Sequence, residues 1–164
     1  MRAKEVVFLT DDTEAKLKAL GYELPRITAG TPGYIERVKR VGNILFVSGH
    51  GPQKRDGGWI ARGRVGKDVA LEVAGEAARL CVLGCLSSVK AAIGSLDRLD
   101  QVIQVRGFVS SATDFFNQPA VMDYASKLLI ELLGDRGRHA RTAIGTSALP
   151  ENICVEVDMV VSVR

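Results

Sequence analysis

Cysteine, histidine and aromatic residues are all scarce in this sequence of 164 residues. It contains three cysteines and two histidines, and aromatic side chains make up only 5% of it. Cys81, Cys85 and Cys154 are odd in number and lack the paired spacing of a metal site. They therefore predict reduced thiols of a cytoplasmic protein, with neither a disulfide framework nor a metal site. Cys81 and Cys85 lie four residues apart on a helical pattern, where core packing explains both.

Long apolar runs and a large excess of one charge are also absent. No run approaches the roughly 20 apolar residues of a membrane span, and residues 1–10 lack the apolar core of a signal peptide. The net charge is only +3, and basic residues alternate with acidic ones along most of the chain. The densest basic run, Arg136 to Arg141, is short and is more typical of a solvated loop or a small-anion site. The sequence therefore excludes a membrane as a partner and does not favour nucleic acid as one.

The length suits one domain over residues 1–164, in which residues 1–33 form an N-terminal helical extension and a connector. Residues 11–20 predict a short helix that ends at Gly21. Asp68 is expected to be the N-cap of the longest helix, which Gly94 ends, and a stripe of small residues on that helix predicts close packing on a sheet. Pro119 suits the first turn of a second long helix through Leu133.

Strand patterns alternate with these helices. A hairpin is predicted from Ile35–Val41 and Ile44–Ser48 around Gly42-Asn43, followed by a loop over residues 50–67 with a short strand near Trp59–Ala61. Further strands are predicted at Leu99–Val109, 141–148 and 154–163. This order indicates an α+β fold, with a mixed sheet and both long helices on one face. The other face also carries apolar residues, so we expect oligomerisation to cover it.

Two charged residues of the last strands are candidates for chemistry. Arg141 begins one strand, and Glu156 lies in the next, opposite the apolar stripe formed by Val155, Val157, Met159, Val161 and Val163. If the two strands are adjacent and antiparallel, the side chains could meet. An arginine fork binds a small carboxylate, and a neighbouring glutamate could orient or deprotonate water. The alternative is a structural ion pair at a subunit interface.

The same region carries a combined motif: Ala140-Arg141-Thr142-Ala143-Ile144-Gly145, then Leu149-Pro150, then Val155-Glu156-Val157. Residues 41–49 (VGNILFVSG), Phe108-Val109 and Asp114-Phe115 extend it upstream. Together these segments resemble the RidA (YjgF) family of reactive intermediate deaminases over residues 34–164. The leading helix with Gly21 to Pro25, residues 63–66 (GRVG) and residues 137–141 (GRHAR) resemble the longer, endoribonuclease-like branch of that family.

The resemblance implies a chorismate-mutase-like (YjgF-like) fold, a homotrimer with ligand clefts between subunits, and hydrolysis of enamine or imine acids to 2-oxo acids and ammonia. Arg141 would hold the substrate carboxylate and Glu156 would position water. Ser48, Tyr34 and His139 would contribute to substrate binding. No cofactor is implied, because an imine is already electrophilic and mainly needs orientation.

The sequence departs from the family pattern at Ala143, where typical deaminases have cysteine, and at the start of the second long helix, Asn117-Gln118-Pro119. These differences leave two alternatives open. One is a trimer that binds carboxylate metabolites without turning them over. The other, favoured least, is RNA cleavage or binding by the basic run around His139.

Overall fold

The computed structural model describes residues 12–26 and 33–164. Its helices are α1 (Thr13–Ala19), α2 (Leu71–Ile93) and α3 (Gln118–Leu133), and its strands are β1 (Val38–Val41), β2 (Ile44–His50), β3 (Leu99–Ser110), β4 (Ala140–Thr146) and β5 (Val155–Val163). The strands form a sheet in the order β1-β2-β5-β3-β4, in which β3 and β4 pair in parallel and the other pairs are antiparallel. The predicted α+β fold with a mixed sheet is confirmed.

Several predicted boundaries need correction. β1 begins only at Val38, because the chain bends at Arg37 immediately before it. The predicted strand near Trp59–Ala61 is wrong, since Trp59 makes a single isolated bridge with Gln53. Part of the predicted connector, residues 27–32, and residue 11 of the predicted first helix lie outside the described residues.

The predicted cap of α2 is also wrong. Asp68 lies before the helix, where its Oδ2 accepts a hydrogen bond from the backbone N–H of Arg64 at 2.9 Å and closes a loop. The N-cap of α2 is Ala70, which contributes no side-chain hydrogen bond. An aspartate side chain can accept hydrogen bonds from the backbone of a turn as well as from the first turn of a helix. Here Asp68 accepts from the backbone of the loop.

The core lies between the sheet and the helices. All five residues of the predicted β5 stripe are at most 2% exposed. On α2, the small residues that predicted close packing are buried, namely Ala74, Ala77, Ala78, Gly84 and Cys85.

The three cysteines are buried free thiols, and Cys81 and Cys85 donate to β5 carbonyl groups at 3.5 and 3.4 Å. Burial raises the pKa of all three, that of Cys154 to about 11. Cys81 and Cys85 contribute to core packing, as predicted.

The opposite face of the sheet lacks a helical layer in the described residues and is partly apolar. Phe46, Ile103 and Ile144 are 50%, 37% and 46% exposed. Between them, Arg106 donates from Nε and Nη2 to the two carboxylate oxygens of Asp158 at 2.8 and 2.9 Å. We call this surface the open face.

No helix in the described ranges combines the length and the apolar character that crossing a membrane requires. Within the same ranges, no three His, Cys, Asp or Glu side chains group closely enough to hold a metal ion.

Close packing of β3 against α3 depends on Gly107. A Cβ at this buried position would collide with Met122 of α3, which is itself fully buried. Glycine therefore sets how closely the helix approaches the sheet at this point.

We expect Gly107→Ala to lower the free energy of unfolding by about 1–3 kcal/mol, because overpacking forces side chains off their rotamers. Gly58→Ala is the control, since the nearest atoms to a Cβ in that exposed loop lie 3.4 Å away. Denaturant unfolding of both variants and the parent measures the difference. Equal midpoints for Gly107→Ala and Gly58→Ala would contradict the packing argument.

Candidate functional site

Arg141 lies on β4 with its side chain directed at α3. Its Nη1 donates to Oδ1 of Asp123 at 2.8 Å and to Oγ of Ser126 at 3.1 Å. Within the described residues its Nε and Nη2 make no hydrogen bond, and the side chain is 24% exposed. The guanidinium is thus oriented through one nitrogen while its other N–H groups remain available to an anion.

His139 lies two residues earlier on the same side of the strand. Its Nδ1 lies 2.6 Å from the carbonyl oxygen of Gly137, and its Nε2 lies 3.0 Å from Oγ of Ser126. Burial and the charge of Arg141 lower the pKa of His139, against a smaller raising effect of the Gly137 hydrogen bond. Asp123, Ser126, His139 and Arg141 form what we call the arginine cluster.

A close backbone approach places β4 beside α3. Gly137 ends the short turn after α3, and a Cβ there would collide with the backbone carbonyl of Leu129 in the helix. Because a backbone cannot rotate away as a side chain can, only glycine fits this position. The residues that follow, including His139, are consequently held against the helix.

The expected meeting of Arg141 and Glu156 does not occur within one chain. β4 pairs with β3, which lies between β4 and β5, so the two strands are not neighbours. Two strand spacings of about 4.8 Å and three residues of about 3.3 Å place their Cα atoms roughly 14 Å apart. Moreover, Arg141 points to the helix side of the sheet, whereas Glu156 points to the open face between the buried Val155 and Val157.

Glu156 instead lies beside the end of β2. Its carboxylate occupies the space that a side chain at Gly49 would need. Partial burial, and to a lesser extent Asp158, raises the pKa of Glu156. The hydroxyl of Ser48 donates to the carbonyl of Glu36 at 2.7 Å, which ties the segment before β1 to β2. We call Ser48, Gly49 and Glu156 the glutamate cluster.

Tyr34, the remaining predicted binding residue, is 89% exposed in the turn before β1. A groove of about 810 Å³ lies near this end of the sheet, on the side of α2, and its lining includes Arg37, His50, Trp59 and Arg62. It contains neither Arg141 nor Glu156. The predicted residues are therefore divided between two clusters and an exposed turn.

Asp123 and Ser126 were missed by the sequence analysis. They lie three residues apart on α3, where successive turns of a helix present neighbouring side chains. That spacing is the only local signal, and it does not reveal that β4 lies against this side of the helix.

His50 has the same hydrogen bonds as His139 in a buried setting. Its Nδ1 lies 2.6 Å from the carbonyl oxygen of Ser48, and its Nε2 lies 2.7 Å from Oγ of Ser88 on α2. Burial also lowers the pKa of His50, with Arg37 as the nearby positive charge. Its side chain is only 6% exposed, so it provides an internal reference for His139.

We expect His139 to titrate below its ordinary pKa of about 6.5 and Arg141→Gln to raise that pKa, because a neighbouring positive charge disfavours protonation. NMR titration of the two imidazole rings measures both values. The pKa of His50 should not move in this variant, since its neighbouring charge is Arg37. A pKa of His139 above 6.5 in the parent would contradict the effect expected from its burial and from the charge of Arg141.

Known proteins with similar sequences belong to a family whose fold agrees with the one described above. Residues 14–162 match the family described as "YjgF/chorismate_mutase-like, putative endoribonuclease". Protein TCP17 of Trypanosoma cruzi is 38% identical over 151 residues, which cover 92% of this chain and 93% of that protein.

Two solved structures are similar over nearly their whole lengths. Atu1372 from Agrobacterium tumefaciens, of unknown function, has a TM-score of 0.86 at 40% identity, covering 94% of this chain and 95% of that one. A protein of Shewanella oneidensis MR-1 described as a "putative endoribonuclease" has a TM-score of 0.87 at 30% identity, covering 92% of this chain and 99% of that one. The expected resemblance is confirmed, and the chain belongs to the YjgF (RidA) family, with its chorismate-mutase-like fold.

Proposed function

We propose that this protein hydrolyses small 2-imino acids to 2-oxo acids and ammonia, with Arg141 binding the substrate carboxylate. The observation that carries the proposal is the guanidinium of Arg141, which Asp123 and Ser126 orient through Nη1 alone. Nε and Nη2 form one edge of the planar fork, and this edge matches the two oxygens of a carboxylate. The site is partly exposed, as entry of a small molecule requires.

Hydrolysis of an imine requires little of the protein beyond orientation of the substrate and of a water molecule. An imine carbon is electrophilic before it reaches the protein, so fixing the carboxylate and one water molecule supplies most of the rate gain. In this proposal Glu156 orients water from an adjoining subunit, because within one chain it lies on the other side of the sheet. Partial burial and the nearby Asp158 raise the pKa of Glu156, and its side chain is exposed enough to face a cleft.

We further propose that the open face is covered by other copies of the chain in a homotrimer. Phe46 is the largest exposed side chain on β2, and its register partner on β5 is Val160. Arg106 and Asp158 neutralise each other within the chain, which lowers the cost of removing these two side chains from water. Tyr34 and Ser48 then contribute to binding from a neighbouring subunit.

A binding protein without turnover is the second candidate. The separation of Arg141 and Glu156 favours it, because a chain that keeps only the carboxylate-binding arginine would still hold a 2-oxo acid. The absence of a thiol at Ala143, which lies on the same side of β4 as Arg141, agrees with this reading.

RNA cleavage has less support, although the family description includes it. The basic run before β4 is engaged within the chain. Arg138 pairs with Asp135 at 3.1 Å, Arg141 pairs with Asp123, and Arg136 donates to the carbonyl of Leu99 at 3.0 Å. These contacts lower the positive field that phosphate groups would meet.

We expect Phe46→Glu to reduce the assembly to smaller species, because a buried unpaired carboxylate is costly at an interface. Val73→Glu is the matched control, since Val73 is 40% exposed on α2, on the helix side. Sedimentation velocity measures the mass of each species. A parent protein that is monomeric at all concentrations would overturn the proposed assembly.

We expect the protein to accelerate hydrolysis of 2-imino acids generated in situ by an amino-acid oxidase, and Arg141→Lys to lower kcat/KM about 10- to 100-fold. Lysine keeps the charge but loses the bidentate fork. The readout is the release of 2-oxo acid above the spontaneous rate.

Arg138→Lys is the control for this assay, because it changes a nearby exposed ion pair with Asp135. Full activity in Arg141→Lys would show that the fork is not used. Saturable binding of 2-oxo acids by a parent that turns over no imine would instead favour the binding protein.

A further inference from the structure

The groove on the α2 side of the sheet is separate from both clusters and has a charged lining. Its volume of about 810 Å³ lies in the range of pockets that hold small organic molecules. The charged side chains among its described lining residues are those of Arg26, Arg37, Arg62 and Glu151. Three arginines and one glutamate leave an excess of positive charge, and a concave surface with an excess of one sign concentrates ions of the opposite sign.

His50 belongs to the lining of the groove without adding a charge. Its Nδ1 lies 2.6 Å from the carbonyl oxygen of Ser48 and its Nε2 lies 2.7 Å from Oγ of Ser88, so both ring nitrogens are engaged. Burial lowers the pKa of His50, and the charge of Arg37 adds to this effect, against a raising effect of the Ser48 hydrogen bond. The positive charge of the groove therefore comes from its arginines, which stay protonated at every physiological pH.

One part of the lining is a connected set of side chains. Nε1 of Trp59 donates to Oε2 of Glu151 at 2.8 Å, and Nη2 of Arg62 lies 3.6 Å from the same oxygen. The ring of Trp59 also packs on Gly51, where a Cβ would come within 2.9 Å of it. One carboxylate thus holds both Trp59 and Arg62 at the groove. The side chain of Arg62 is 58% exposed, so its other N–H groups remain accessible to a ligand.

Another part of the lining is formed by Pro25 and Arg26. The carbonyl oxygen of Pro25 accepts a hydrogen bond from the hydroxyl of Ser87 at 2.7 Å, which attaches this segment to α2. Arg26 follows directly and is exposed, and its guanidinium makes no hydrogen bond or ion pair to another described residue. The groove therefore has arginine side chains on two separately anchored segments.

We infer that this groove binds a small phosphate monoester, whose phosphate contacts the arginines while the rest of the molecule lies beside Trp59. A phosphate monoester carries about two negative charges at neutral pH and has three acceptor oxygens, so one group can receive more than one arginine. A carboxylate has two oxygens, which a single arginine fork occupies. The inference is independent of the proposed hydrolysis, because the groove contains neither Arg141 nor Glu156.

Trp59 is the only tryptophan of the chain, so tryptophan fluorescence reports on the groove. Titration of the full-length protein with glucose 6-phosphate, in a buffer without phosphate, should change this fluorescence in a saturable way, and glucose should not. We expect Arg62→Gln to weaken binding about 3- to 10-fold and Glu151→Gln to tighten it about threefold, because they remove charges of opposite sign from the lining. A glutamine at position 151 keeps an oxygen that can accept from Trp59. Arg64→Gln is the matched control, since Arg64 is exposed and does not line the groove.

NMR spectra of the two imidazole rings locate the ligand independently of fluorescence. Glucose 6-phosphate should shift the signals of His50, which lines the groove, and leave those of His139 unchanged. No change in either the fluorescence or the His50 signals, or a shift of His139 alone, would show that the groove is not the site. Equal affinity for succinate would show that the groove does not select phosphate. The assay involves no turnover, so these results leave the proposed hydrolysis to be judged by its own test.

Discussion

The parallel pairing of β4 with β3 is the constraint on which the rest of the site depends. β3, α3 and β4 form a strand–helix–strand unit, and such a unit returns the chain beside the first strand in the same direction. The return places Arg141 and His139 against α3. It also leaves β3 between β4 and β5, so the link 147–154 must cross the end of β3 to reach β5. In that link Glu151 and Asn152 adopt positive φ angles of 53° and 59°.

Local patterns predicted the elements well because each element reflects a local property. The alternation from Val155 to Val163 identified both the strand and its buried face, and Pro119 and Gly134 bounded α3. The strand order could not be read in this way. The last two strands were considered as possible antiparallel neighbours, but the short link between them can also cross one intervening strand, since adjacent strands lie only about 5 Å apart.

The site was predicted only in part for the same reason. Arg141 and His139 are two residues apart in the segment 137–141 that resembles the family, so both were named as candidate residues from the sequence. Their partners on α3 depend on tertiary packing, and above all on Gly137, whose missing side chain lets the strand approach the helix. A single sequence shows that a glycine is present there. It does not show which backbone lies against it.

Asp123 gives Arg141 a ligand of its own. In the free protein this carboxylate lies 2.8 Å from Nη1, and its side chain is 54% exposed. A substrate carboxylate that binds Nε and Nη2, as proposed, would share the guanidinium with Asp123 and would not displace it. The nearby negative charge of Asp123 would partly offset the attraction of the guanidinium for any anion, so a single-atom anion such as chloride would gain little there. In the proposed role, this arrangement would favour rapid exchange of small carboxylates over their storage.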